Sequence, residues 1–313
     1  MTSSETTSSE KKQRPSGVDQ RSFTGFDTTL TEPGILTITF NNPERLNAST
    51  APMKRDLVET LTQAQMDDTI RVIIFTGSGP AFWAGDDLSG KRPNSDDAVV
   101  PPIFGGHHNA MGTYNGLRVI SQTVNTAVRN IDKLTIAAIN GFAIQTGFSL
   151  ALACDFRVAA RSAKMGSATL RFGLLPDEGG QYLLVQHLGV AKAMDFMMRR
   201  RIVDAEVAHE LGLVHELVDD DQLMNATLEL ATELANGPQM AMRMLKRSIY
   251  LAAEQTWAHS LEDIAARTAV TDHHPDAVEG GRAFLEKRDA QFNAALEGRE
   301  LPDMNDIPWE ANS

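Results

Sequence analysis

Two consecutive acids, Asp177 and Glu178, stand directly before the glycine pair Gly179-Gly180. A second glycine-bearing turn, from Asn140-Gly141 through Gln145-Thr146-Gly147, lies about thirty residues upstream. Each turn borders an apolar run. A carboxylate held at an apolar turn, opposite bare backbone N–H groups, suits proton transfer beside a carbonyl that becomes an oxyanion. Burial against Phe172, Leu174 and Leu175 would raise the pKa of such an acid toward a useful range. Asp177 is the expected base. The same position, after Pro176 and ahead of a helix starting near Gly180, also suits a helix N-cap. Glu178 is the alternative base, or else a solvated acid in the first helical turn.

Other reactive residue types have plainer readings. His107 and His108 fall in a loop, with Tyr114 following, and loop histidines are usually solvated. His209 and His215 lack the spacing of a metalloprotease helix, and no metal site is expected. His273 and His274 precede Pro275 at a helix start. Cys154, the single cysteine, sits in a short apolar helix and suits packing better than nucleophilic attack.

The elements that must position the acids follow from periodicity. Strands are expected at Phe23–Leu30, Gly34–Phe40, Arg71–Thr76, Thr135–Ile139 and Phe156–Ala159, with Lys164–Gly166 as a short pairing segment. The run at 71–76 is almost wholly apolar, the pattern of a strand covered on both faces. Helices are expected at 51–67, 117–130, 147–154, 182–187, 190–198, 205–211, 221–235, 238–257, 261–270 and 276–292. Ser89–Tyr114, rich in Gly, Pro, Asp and Asn, is expected to be a long loop or lid. Strand–helix alternation over 23–220, then helices alone over 221–300, predicts an α/β core with an α-helical C-terminal region. Residues 1–22 and 301–313 are expected to be tails.

With 313 residues, 42% hydrophobic and 22% charged, the chain has the composition of a globular protein with a sizeable core. A net charge of −12 opposes a general nucleic-acid surface. One cysteine excludes an internal disulfide and points to a reducing compartment. The polar opening segment has no apolar h-region, and no run approaches a membrane span, so no membrane partner and a cytoplasmic location are expected.

In order along the chain, Ile38–Asn47, Phe82-Trp-Ala-Gly-Asp-Asp-Leu88, Asn140-Gly141 to Cys154-Asp155, and Phe284-Leu-Glu-Lys-Arg288 resemble four landmarks of the crotonase (enoyl-CoA hydratase/isomerase) superfamily. The resemblance covers roughly residues 23–292. It implies a crotonase-like ββα spiral core, a helical C-terminal trimerisation region, and a homotrimer or dimer of trimers. It also implies a coenzyme A thioester as substrate, with no prosthetic group. Carried over residue by residue, the thioester oxygen would lie between the backbone N–H groups of Asp86 and Thr146. Thr146 departs from the glycine usual there. The substrate and CoA site would further include Arg45, Leu46, Ala84, Asp87, Leu88, Gly147, Ser149, Thr169, Pro176 and Lys287. Of these, Arg45 and Lys287 would meet the CoA phosphates; two solvated cations are the plainer reading.

Hydratases of this family carry a glutamate at each of the positions held here by Ser149 and Thr169. Neither side chain is a competent acid–base at neutral pH without a partner. The turn Gly173–Gly180 is similar instead to that of ring-1,2-epoxyphenylacetyl-CoA, dienoyl-CoA and Δ3,Δ2-enoyl-CoA isomerases. The expected activity is therefore acyl-CoA isomerisation, of a double bond or a ring epoxide, through a dienolate and one carboxylate. The alternatives are a hydrolase or dehalogenase with Asp177 as nucleophile, an atypical hydratase, and an inactive CoA-binding subunit.

Overall fold

The structure is a computed structural model that describes Val18, residues 23–87 and residues 109–304. Expectations for the rest of the two tails and for Leu88, His107 and His108 lie outside the described residues. Val18 itself is buried and joins the main core cluster.

Threonine-rich segments with alternating burial build an antiparallel hairpin from β1 (Phe26–Thr31) and β2 (Ile35–Phe40), with Phe26 opposite Phe40. Helix α1 (Ala51–Met66) follows, then β3 (Val72–Gly77) and the short β4 (Ala81–Trp83). Helices α2 (Ala110–Gly116) and α3 (Gln122–Asn130) are joined without a break by a π-helical turn, Leu117–Ser121. Next come β5 (Leu134–Ile139), β6 (Phe142–Ile144), α4 (Thr146–Ala153), β7 (Phe156–Ala160) and β8 (Lys164–Gly166). Then follow α5 (Gly180–Met198), β9 (Ile202–Asp204), α6 (Ala205–Glu210) and β10 (Glu216–Val218). The chain continues through α7 (Leu223–Asn236), α8 (Gln239–Ala252), α9 (Trp257–Asp272) and α10 (Pro275–Glu286).

The strands form two sheets. One has the order β1-β2-β3-β5-β7-β10 and is parallel from β2 onward; the other has the order β4-β6-β8-β9. Each pass through the chain thus lays one strand in the large sheet and a shorter one in the small sheet. Alternate residues of β3 face opposite layers. Ile73 and Phe75 join the core that holds α1, α3 and α4, while Val72 and Ile74 pack with Leu223, Ala231 and Leu234 of α7. This is why β3 reads as continuously apolar.

Several expected boundaries move. Residues 110–114 are helical rather than loop, because Asn109 caps α2 by accepting the Gly112 N–H. The helix expected over 238–257 ends at Ala252, and a new one starts where Thr256 caps α9. The helix expected over 276–292 stops at Lys287, which adopts a left-handed conformation. Strands β6, β9 and β10 have three residues each, too few to show a period.

The C-terminal helices are tied to the sheet by Asp155. Its carboxylate accepts the Thr135 N–H at 2.7 Å and hydroxyl at 2.9 Å, the Lys246 ammonium at 2.8 Å, and the Tyr250 hydroxyl. The Lys246 side chain is 3% exposed, so it depends on that partner. Neighbouring Cys154 is buried, and burial pushes its thiol up to about 12, the behaviour of a packing residue. Removing one member of a buried ion pair typically costs about 3–5 kcal/mol. Asp155→Ala should therefore lower the unfolding free energy from urea titration by an amount in that range, and Lys246→Met should cost less, since it strands an acid that keeps its other donors.

Candidate active site

Lys54 anchors the site. The Thr50 hydroxyl accepts the Met53 N–H and Pro52 sits in the first turn, so α1 starts at a fixed residue. Lys54 then falls on the buried stripe beside Met53 and Leu57. Its Nζ lies 2.8 Å from Asp86 Oδ1 and 3.1 Å from Glu178 Oε1, and it donates to Ser121 Oγ at 3.4 Å. Burial pulls the ammonium pKa down, but Asp86 and Glu178 together outweigh it and the net shift is upward. Lys54 is a buried cation.

Glu178 is held from two sides. The carbonyls of Asp177 and Glu178 accept side-chain amide hydrogens from Gln122 at 2.9 Å and Asn125 at 2.8 Å, three residues apart on α3. The Glu178 side chain turns inward, is 2% exposed, and accepts the Thr146 hydroxyl on Oε1 at 2.7 Å. Its Oε2 is buried without a hydrogen-bond partner among the described residues. Burial pushes the carboxyl up to about 7; Lys54 and the Thr146 hydroxyl oppose this, while Asp86 and Asp177 reinforce it. A cavity of about 470 Å³, lined in part by Gln122, Asn125, Arg129 and Tyr182, reaches Glu178.

Asp86 and Thr146, the residues expected to supply backbone donors, both join the cluster around this carboxyl. Gly85 has φ +100°, a conformation natural to glycine, and its carbonyl accepts the Trp83 indole N–H at 3.0 Å. The Ser49 N–H donates to the Gly85 carbonyl and the Asp87 N–H donates to the Ser49 carbonyl, each at 2.9 Å. In that parallel bridge the intervening Asp86 N–H faces the other way. Thr146 occupies the first position of α4, where a backbone N–H has no carbonyl one turn back. Its hydroxyl lies 3.3 Å from Asp86 Oδ1, so the two residues are neighbours. Gly147 completes the arrangement: a Cβ there would come within 1.9 Å of the Trp83 carbonyl oxygen.

The structure distributes the remaining expected residues unevenly. Asp177 is partly exposed and does not cap α5, whose N-cap is Gly179. The apolar shelter expected around it is missing, because Phe172, Leu174 and Leu175 are 67%, 61% and 74% exposed. Glu178, rather than a solvated first-turn acid, is the buried member of the pair. Pro176 is buried ahead of them. Ser149 is buried in α4, with Oγ where a Cβ on Gly180 would project. Thr169 shares hydrogen bonds with Ser167 and with Gln145, the α4 N-cap, which has φ +50°. The Ala84 N–H donates to the Leu46 carbonyl at 3.0 Å. Arg45 pairs with Asp87 at 2.7 Å. Lys287 is exposed at the end of α10, outside this cluster. Among the described residues, no group of three or more His, Cys, Asp or Glu could hold a metal ion.

Residues 31–295 match the family described as enoyl-CoA hydratase/isomerase. The chain belongs to that family. Within it, the chain is 36% identical to the 1,2-epoxyphenylacetyl-CoA isomerase of Escherichia coli (strain K12) over 264 residues, covering 83% of this chain and 95% of the relative. It is 35% identical to the carnitinyl-CoA dehydratase of Escherichia coli O157:H7 over 272 residues, covering 83% and 95%. Among solved structures, the enoyl-CoA hydratase from Bacillus anthracis superimposes with a TM-score of 0.76 at 28% identity, over 86% of this chain and 99% of that one. These neighbours share the crotonase fold expected from the motifs, with mixed α/β sheets and a helical C-terminal region.

The cluster that the structure assembles is Lys54, Asp86, Thr146 and Glu178, linked by ion pairs and hydrogen bonds. Sequence reasoning missed Lys54 and the Asp86 side chain, having weighed only the Asp86 N–H. The available signal was a lysine next to the apolar stripe Met53, Leu57, Leu61. Gly147→Ala places a methyl group against the Trp83 carbonyl and should cost at least ~3 kcal/mol, the upper range for overpacking. A thermal melt unchanged from the parent protein would contradict this close approach.

Proposed function

We propose that this protein is an acyl-CoA isomerase in which Glu178 is the acid–base and the N–H groups of Asp86 and Thr146 hold the thioester oxygen. One observation carries the reading: Glu178 is buried against Thr146 with a raised pKa and a free Oε2. The ionised carboxylate takes a proton from the α-carbon of a 3-enoyl thioester, and the C–H electrons move into the carbonyl to give a dienolate. The two N–H groups stabilise the oxyanion, and loss of one such donor typically costs about 3 kcal/mol of barrier. The protonated Glu178 then delivers its proton to the γ-carbon, the double bond settles between α and β, and the carboxylate is restored. One acid suffices because no water is added.

Ser149 and Thr169 support isomerisation over hydration, as they leave the two hydratase positions without carboxylates. The similarity to a 1,2-epoxyphenylacetyl-CoA isomerase supports ring-bearing acyl groups and epoxide isomerisation as the substrate range. Arg45 and Lys287 are proposed for the CoA phosphates. A cytoplasmic homotrimer or dimer of trimers belongs to the same reading; exposed Leu245, Ile249 and Ile264 on α8 and α9 support self-association.

Asp177 is the adjacent control. With a 3-enoyl-CoA substrate, Glu178→Gln should lower kcat at least ~100-fold, the usual worth of a general acid–base. Asp177→Asn should fall less than tenfold by the same measure. The reverse order would return the base to Asp177. Because the free enzyme must hold an ionised base, kcat/KM should rise with pH through about 7 and level off above it.

A further inference from the structure

We propose that Lys54 is a positioning residue of this site: its buried ammonium, shared between Asp86 and Glu178, keeps Glu178 available as an anion and fixes its Oε1 against the Thr146 hydroxyl. The inference rests on the reading of Glu178 as the base.

The contacts are specific. Lys54 is 3% exposed, and the lysine head has no solvated alternative at the end of a side chain packed within the core. It meets Glu178 on the same oxygen that accepts from Thr146, so two donors converge on Oε1 and leave Oε2 free. It meets Asp86 through both carboxylate oxygens, at 2.8 and 3.0 Å. Asp86 Oδ1 also accepts the Ser49 hydroxyl at 2.6 Å. Without the ammonium, two carboxylates would converge on the Thr146 hydroxyl with no cation between them.

The charged groups around Glu178 come from every packed element. Lys54 is on α1, Asp86 follows β4, and Asp177 precedes it in the turn. Across the cavity, Arg129 lies over the Tyr250 ring at 3.5 Å, Arg247 pairs with Asp132 at 3.6 Å, and Glu254 accepts the Tyr182 hydroxyl. These cations already have partners. Among the described residues, Lys54 is the cation in contact with the Glu178 carboxylate.

An opposite charge at this distance moves a carboxyl by roughly 1–3 pH units. In Lys54→Met, the acid limb of kcat/KM should therefore move up by roughly that amount, with activity at pH 7 depressed at least about fivefold and recovering as pH rises through the new limb. Lys54→Arg should restore the limb toward its original place. Asp86→Asn keeps the backbone N–H but removes a like charge, so it should move the limb down. That second variant tests the same electrostatic triad should Lys54→Met fail to fold.

The ionisation can also be followed without turnover. Protein labelled with ¹³C at the glutamate side-chain carboxyl gives the Glu178 signal as the resonance lost in Glu178→Gln. Its midpoint should rise in Lys54→Met and fall in Asp86→Asn. A folded Lys54→Met whose Glu178 midpoint and pH profile match the parent overturns the inference, as does an activity loss equal at every pH. Activity that survives Glu178→Gln instead overturns the reading of the base, while the carboxyl titration still judges the role of Lys54.

Discussion

The approach of one backbone to another, Gly147 over the Trp83 carbonyl, is the constraint from which the site follows. At that position any side chain would enter the space of the carbonyl oxygen. Two turns from different passes of the spiral can therefore touch. One ends at Gly85, whose left-handed backbone and indole-bound carbonyl turn the Asp86 N–H out of the Ser49 bridge. The other begins α4 with an uncommitted N–H at Thr146. In their proposed role as oxyanion donors, neither needs a side chain or a protonation state, so both are fixed before a substrate arrives.

Charge then decides what such a pair of donors can assist. A buried carboxyl alone would stay protonated at neutral pH, and a fully solvated one would be too weak a base. Glu178 sits between these limits because burial is opposed by Lys54 and the Thr146 hydroxyl. Thr146 thus has two parts to contribute at this point, a backbone N–H at the start of α4 and a hydroxyl that contacts both Asp86 and Glu178.

Much of the fold was legible because long elements advertise their environment. The apolar run of β3 reflects two buried faces, and the threonine alternation of β2 reflects its place next to the edge strand β1. The three-residue strands carried no period, and the helix breaks at Thr256 and Lys287 depend on caps rather than on pattern. At the site, spacing located the Asp177-Glu178 turn but left open which acid points inward. That choice depends on the Gln122 and Asn125 amides, which hold the two carbonyls and are far away in sequence. Lys54 escaped notice because its partners lie 32 and 124 residues away, and a lysine beside an apolar stripe ordinarily snorkels to water.

The π-helical turn at Leu117–Ser121 is the tolerant point of the long helix from Ala110 to Asn130. Its wider ring absorbs one extra residue, so the segments on either side keep the phase of an uninterrupted α-helix. Deleting a single residue from that ring would return it to ordinary α-helical geometry, with Gln122 and Asn125 still aimed at the carbonyls they hold. A deletion in a regular α-helical stretch would instead rotate everything beyond it by ~100°. The support of the acidic turn is thus bound to helical register everywhere except at this one turn.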